Sequence, residues 1–157
     1  NKELERVMTK SLEPTGMILL VTASGGVLRY MLQYSGLGEV IGNAVASAAL
    51  PMVVVAFAVA ALVRISVGSA TVAMTMAAGI IAAMPGIAEL SPLYLACVTA
   101  AVAGGATVCS HFNDSGFWLV KSLVGMDEKT TLKTWTIMET LVGGTGFIVA
   151  LIISFFA

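Results

Sequence analysis

Charge is what this sequence has little of. Only 11% of its 157 residues are Asp, Glu, Lys or Arg, and histidine occurs once. An average soluble domain carries roughly 25% charged residues, so too little charge is present to keep a globular surface wet. Acidic and basic residues nearly balance, at 9 and 8, and the aromatics are not interleaved with Lys or Arg, which excludes nucleic acid as the main partner. The two cysteines, Cys97 and Cys109, belong to one apolar segment and make neither a disulfide framework nor a ligand set. With a lone histidine and no paired cysteine motif, no zinc or other metal site is expected, and no cofactor. The first residue is Asn1, preceded by no Met, and the opening NKELERVMTKSLEP has no cleavable apolar core. The chain is therefore expected to be a piece of a longer one, starting inside a loop.

What is there is apolar length. Hydrophobic residues make up 58% of the chain. Residues 40–63, 65–88 and 90–113 form three successive uncharged runs of 24 residues, and the last 18 positions form a fourth. About 20 apolar residues cross a bilayer core as a helix. The pattern predicts an all-α integral membrane protein.

Punctuation divides the chain. Residues 1–13 alternate apolar and charged positions, as in an interfacial helix or a loop. Residues 14–157 form the transmembrane part, with helical segments expected at about 15–34, 40–63, 65–84, 92–120 and 134–157. The first should bend, because Ser24, Gly25, Gly26 and Arg29 interrupt it. Residues 40–63 carry small residues (Gly42, Ala44, Ala46, Ala48) that permit close helix contact or a homo-oligomer, with a kink around Pro51. Residues 65–84 either span or dip in and return, and 92–120 should break near 113–116. Lysine-rich short loops stay cytoplasmic, which places Lys121, Lys129 and Lys133 inside and Ala157 on the far side. Trp118 and Trp135 read as interfacial belt residues.

Two polar clusters fall where lipid would penalise them. SHFNDSGFW, residues 110–118, packs a carboxylate, an amide, two hydroxyls and an imidazole into six positions. Asn, Asp and Ser side chains compete for backbone hydrogen bonds, so the helix should open there. Broken helices at membrane depth are tolerated where they are buried or line a cavity, and they offer N–H dipoles and carbonyls to a substrate ion. The bland alternative is the wet end of a helix. The second cluster is Arg64 to Thr71. Arg64 either grips a carboxylate through its two-pronged edge or snorkels to the interface; Ser69 and Thr71 are harder to explain structurally. Glu139, early in the last helix, is a buried-carboxylate candidate for proton exchange. A Ser115, His111 and Asp114 triad fails on geometry, because both partners approach the imidazole from one side. No enzyme is expected.

The stretch GATVCSHFNDSGFWLVKSLVGMDEKTTLKTWTIMETLVGGTGF, 105–147, resembles the C-terminal signature of the gluconate:proton symporter (gluconate permease) family. LVRISVGSATVAM (62–74) and GMILLVTASGGVL (16–28) are similar to family motifs in the same order. The resemblance implies one inverted repeat of an anion-transporter-like fold, with a re-entrant hairpin tipped by Gly68, Ser69, Ala70 and Thr71 facing a broken helix at Asn113, Asp114, Ser115 and Gly116. Implied substrate ligands are Arg64, Gly68, Ser69, Thr71, Ser110, Asn113, Ser115 and Gly116. Asp114 is the first choice for proton coupling, with His111 and Glu139 in reserve. The implied partners are a gluconate-like anion, the proton, the bacterial inner membrane and an N-terminal half. D-serine, sodium coupling, a passive channel and a non-transporting membrane scaffold are the alternatives.

Overall fold

The computed structural model describes residues 2–36, 43 and 50–157. The described residues are helical throughout, without strands: α1 (Lys2–Tyr34), α2 (Met52–Val67), α3 (Ala70–Ala82), α4 (Pro92–Thr107), α5 (Ser115–Val124), α6 (Glu128–Thr131) and α7 (Ile137–Ser154). A 3-10 turn at Ile87–Glu89 joins α3 to α4, and a π turn at Leu132–Thr136 joins α6 to α7. Among the described residues, one helical run, Glu128–Ser154, is long and apolar enough to cross a membrane.

The interior is built from small side chains. Ala56, Ala60, Ala73, Ala77 and Ala101 are fully buried, whereas Leu141, Val142, Ile148, Val149 and Ile152 on α7 lie outside. A water-soluble fold hides its large apolar groups first; here they face outward, as they do toward lipid. α4 sits in the middle and packs on α2, α3 and α7. Its glycines make this possible. A Cβ added at Gly104 would come within 2.7 Å of the Gly143 carbonyl oxygen on α7, and one at Gly105 within 2.9 Å of the Ala60 Cβ on α2. Phe57 and Phe147 stack beside this crossing, with ring centroids 4.2 Å apart.

Several boundaries differ from those expected. Residues 2–34 form one helix that passes through Pro14, so 1–13 and 15–34 are not separate elements. An apolar environment leaves backbone groups no partner but each other, which favours continuing the helix. The side chains of Ser24, Gly25, Gly26 and Arg29 lie outside the described ones, as does most of 37–49 with its small-residue face. Pro51 does not kink a helix; it precedes the first residue of α2, where its missing N–H costs nothing. That helix runs past the expected boundary at Arg64 to Val67, and the chain turns at Gly68 and Ser69. The second break covers residues 108–114, starting earlier than 113–116. The last helical run begins at Glu128 rather than 134.

Candidate functional site

α2 stops because Gly68 adopts φ +77°, a left-handed conformation that side chains resist. Its N–H returns to the Arg64 carbonyl at 2.9 Å. Ser69 then caps α3, its hydroxyl accepting the Val72 N–H. α4 ends at Thr107, and Cys109 takes φ 54°. Asp114 restarts the helix as the cap of α5: its Oδ1 accepts the Gly116 N–H at 2.9 Å. The end of α2 and the residues just before α5 are thereby brought together. An added Gly68 Cβ would lie 2.6 Å from the Asn113 Cγ and closer still to the Asn113 carbonyl. Asn113 Nδ2 donates to the Ile65 carbonyl at 2.8 Å, stitching the two breaks. The start of α5 thus meets the turn that links α2 to α3.

Arg64 lies across the junction and is only 3% exposed. Its Nη1 donates to the Gly68 carbonyl at 2.6 Å, and its Nη2 pairs with Asp114 Oδ2. Its Nε is buried without a partner among the described residues. Arg64 therefore does not snorkel to the interface; it turns inward because a carboxylate 50 residues away in sequence waits there. Asp114 Oδ2 also accepts the hydroxyl of fully buried Ser110 at 2.5 Å. The carboxylate is thus satisfied on both oxygens, as a buried charge must be.

The last helix holds the second break in place. Trp135 Nε1 donates to Ser110 Oγ at 2.8 Å, the Thr136 hydroxyl donates to the Ser110 carbonyl at 2.5 Å, and Thr140 Oγ1 accepts the Cys109 N–H at 3.1 Å. The π turn at Leu132–Thr136 presents Trp135 and Thr136 side by side. Such turns often occur at functional sites. Trp135 is therefore bound into the polar cluster. Trp118 likewise donates to the Phe112 carbonyl at 2.8 Å, closing the residues between His111 and α5.

The structure brings Arg64, Gly68, Ser110, Asn113, Asp114 and Gly116 together. Ser69 is half-buried at its cap, whereas Thr71 and Ser115 are exposed. His111 turns Nδ1 to the Cys109 carbonyl at 2.8 Å, away from a triad role. Glu139 is half-buried on α7, within electrostatic reach of both Arg64 and Asp114. No cluster of metal-ligating groups occurs among the described residues. Two apolar grooves of about 210 and 200 Å³ lie elsewhere, one between α4 and α7 and one between α3 and α4, and contain none of these residues. Trp135, Thr136 and Thr140 are the site residues that reading the sequence missed. The available signal was the 136 and 140 hydroxyl pair, one turn apart on the face that also carries Glu139.

A family profile described as GntP family permease matches residues 1–156. The chain is 46% identical over 144 residues to the low-affinity gluconate transporter of Escherichia coli strain K12, covering 90% of this chain and 32% of that protein. It is 38% identical over 154 residues to a gluconate permease of Pseudomonas aeruginosa, covering 98% and 34% respectively. A gluconate permease of Bacillus subtilis is 38% identical over 138 residues, covering 87% of this chain and 30% of the relative. The chain spans about a third of the length of these curated relatives. No solved structure matches it.

Proposed function

Because the chain belongs to the GntP family of permeases, a family of transporters and not of enzymes, we propose that it supplies the C-terminal inverted repeat of a multi-pass permease of the bacterial inner membrane. That permease takes up gluconate or a related sugar acid together with protons. The observation that carries this reading is the meeting of two helix breaks around one buried guanidinium. α2 and α3, with 16 and 13 residues, are roughly 24 and 20 Å long at 1.5 Å per residue. Both are shorter than a hydrocarbon core of about 30 Å, which supports a hairpin whose tip ends inside the bilayer.

In this reading the substrate sits beside the closed Gly68–Asn113 contact, against Ser69 and the start of α5. Its carboxylate is drawn by Arg64 and the two helix N-termini, and its hydroxyls by Ser69, Ser110 and Asn113. Thr71 and Ser115 belong to the same ends and face the space where the remainder of the permease would close over the site. Asp114 is the proton-coupling carboxylate, with Glu139 and His111 in reserve. Discrimination among sugar acids then depends partly on residues outside this chain.

The deciding experiment is radiolabelled uptake by the full-length protein in liposomes, with and without an imposed pH gradient, against gluconate, other sugar acids and D-serine. Accumulation of a sugar acid that collapses with the gradient is expected. Uptake that persists without a gradient but vanishes when choline replaces sodium would assign the coupling to sodium. Passive equilibration would indicate a channel, and no flux of any acid would indicate a scaffold.

A further inference from the structure

We propose that Asp114 is the resting occupant of the substrate's own place on Arg64, and that a proton arriving on Asp114 releases the guanidinium to the substrate carboxylate. This rests on the proton-coupled uptake proposed above and adds how the two are tied together. A guanidinium binds a carboxylate best along one edge, through two parallel N–H bonds. On Arg64 the edge formed by Nε and Nη2 is half used. Nη2 holds Asp114 Oδ2, while the neighbouring Nε is buried with no partner among the described residues. Asp114 does not take both positions, because its Oδ1 is engaged by the Gly116 N–H as the cap of α5. A substrate carboxylate has both oxygens free and can fill Nε and Nη2 together.

Charge accounting then enforces coupling. The resting pair is Arg64⁺ with Asp114⁻, net zero in a dry site. After exchange the site holds Arg64⁺, the neutral acid of Asp114 and the substrate anion, again net zero. Binding the anion without the proton leaves one excess negative charge, and binding the proton without the anion leaves a buried, unpaired guanidinium; both are unfavourable away from water. The proton comes from the medium on the open side, resides on Oδ2, and leaves to the other side when Asp114 re-pairs with Arg64 as the substrate departs.

The surroundings contain few competing charges. Among the described residues, Arg64 on α2 pairs with the carboxylate and Glu139 on α7 lies within electrostatic reach of both; α3 has no titratable residue, and α4 has only Tyr94 and Cys97, both in its first half. On the connecting residues His111 is turned to the Cys109 carbonyl, and Lys121 on α5 pairs with Glu128. Ser110 supplies a hydroxyl that can follow Oδ2 in either protonation state, since a hydroxyl both donates and accepts.

The test uses the full-length permease in proteoliposomes, reading gluconate counterflow at equal pH separately from accumulation driven by a pH gradient. Asp114→Asn keeps the side-chain oxygen needed for the cap but holds no proton to exchange. It should retain counterflow while the accumulation ratio falls to about one, and Arg64→Gln should lose both. Accumulation by Asp114→Asn, or absence of counterflow from a variant that still elutes as a monodisperse peak, overturns the inference. Unmodified protein decides the matter if the variant does not fold. One proton moving with one anion carries no net charge, so the initial rate at a fixed pH gradient should not change when valinomycin and potassium set the membrane potential. A rate that rises with potential overturns the exchange, whereas no gluconate flux at all in the unmodified protein refutes the proposed function instead.

Discussion

Gly68→Ala isolates the contact on which the junction depends. The native residue sits at φ +77°, and its added Cβ would meet the Asn113 backbone, including the carbonyl carbon at 2.5 Å. Left-handed backbone costs a residue with a Cβ about 1–2 kcal/mol. The collision adds about 1–3 kcal/mol, the usual range for an extra carbon in a packed site, because a peptide group cannot rotate aside as a side-chain tip can. Gly86 provides the control. Its φ is +79°, yet nothing lies within 4 Å of its would-be Cβ, so Gly86→Ala incurs the backbone term alone. Both variants of the full-length permease would be unfolded in detergent and followed by tryptophan fluorescence. Gly68→Ala should be less stable than Gly86→Ala by about 1–3 kcal/mol and should lose uptake, whereas Gly86→Ala keeps it. Equal loss of stability in the two would show that the two breaks do not touch and would refute the assembled site.

Gly105→Ala should destabilise by about 1–3 kcal/mol through overpacking against Phe57 and Ala60. Gly144→Ala, with nothing within 4 Å, should be neutral or stabilising by up to about 1 kcal/mol because alanine is the better helix former; denaturant titration distinguishes them. Trp135→Phe keeps a ring but removes the N–H that reaches Ser110, at a cost of about 0.5–1.5 kcal/mol, with a raised KM for uptake as the functional readout. In the loop before α6, the Thr130 hydroxyl and amide hold the Asp127 carboxyl below its ordinary range. A carboxylate with a depressed pKa stabilises above its unfolded value, about 3.9, and that contribution is lost as the pH falls through the lower folded one. Asp127→Ala should therefore speed amide exchange at Thr130 near neutral pH, and the difference should vanish in strong acid.

The two polar clusters were legible in the sequence because an apolar background makes every hydroxyl and carboxylate conspicuous. Arg64, Gly68, Asn113 and Asp114 could be singled out without any coordinates. Their pairing could not. Whether a lone arginine turns inward or out depends on a partner 50 positions away, and no local pattern encodes that distance. The onset of the second break at residue 108 was equally hidden, since Val108 and Cys109 are apolar and only the left-handed turn at Cys109 reveals it. Tryptophan is ambiguous for a different reason. Its amphipathic ring suits an interfacial belt and a hydrogen bond within a polar cluster equally well, and the partner of Trp135 lies 25 positions away in sequence. Pro51 shows the same limit in miniature, because a proline marks an irregularity without saying whether it kinks a helix or starts one.

The glycines of α4 bear on how such a molecule could move. Gly104 and Gly143 meet backbone to backbone on one flank, and Gly105 meets Phe57 and Ala60 on another. Bringing Val142 to the place of Gly143, or any residue with a Cβ to the place of Gly105, would put a side chain where only a hydrogen now fits. α2, α4 and α7 are keyed like the wards of a lock, which ties the three together as one body.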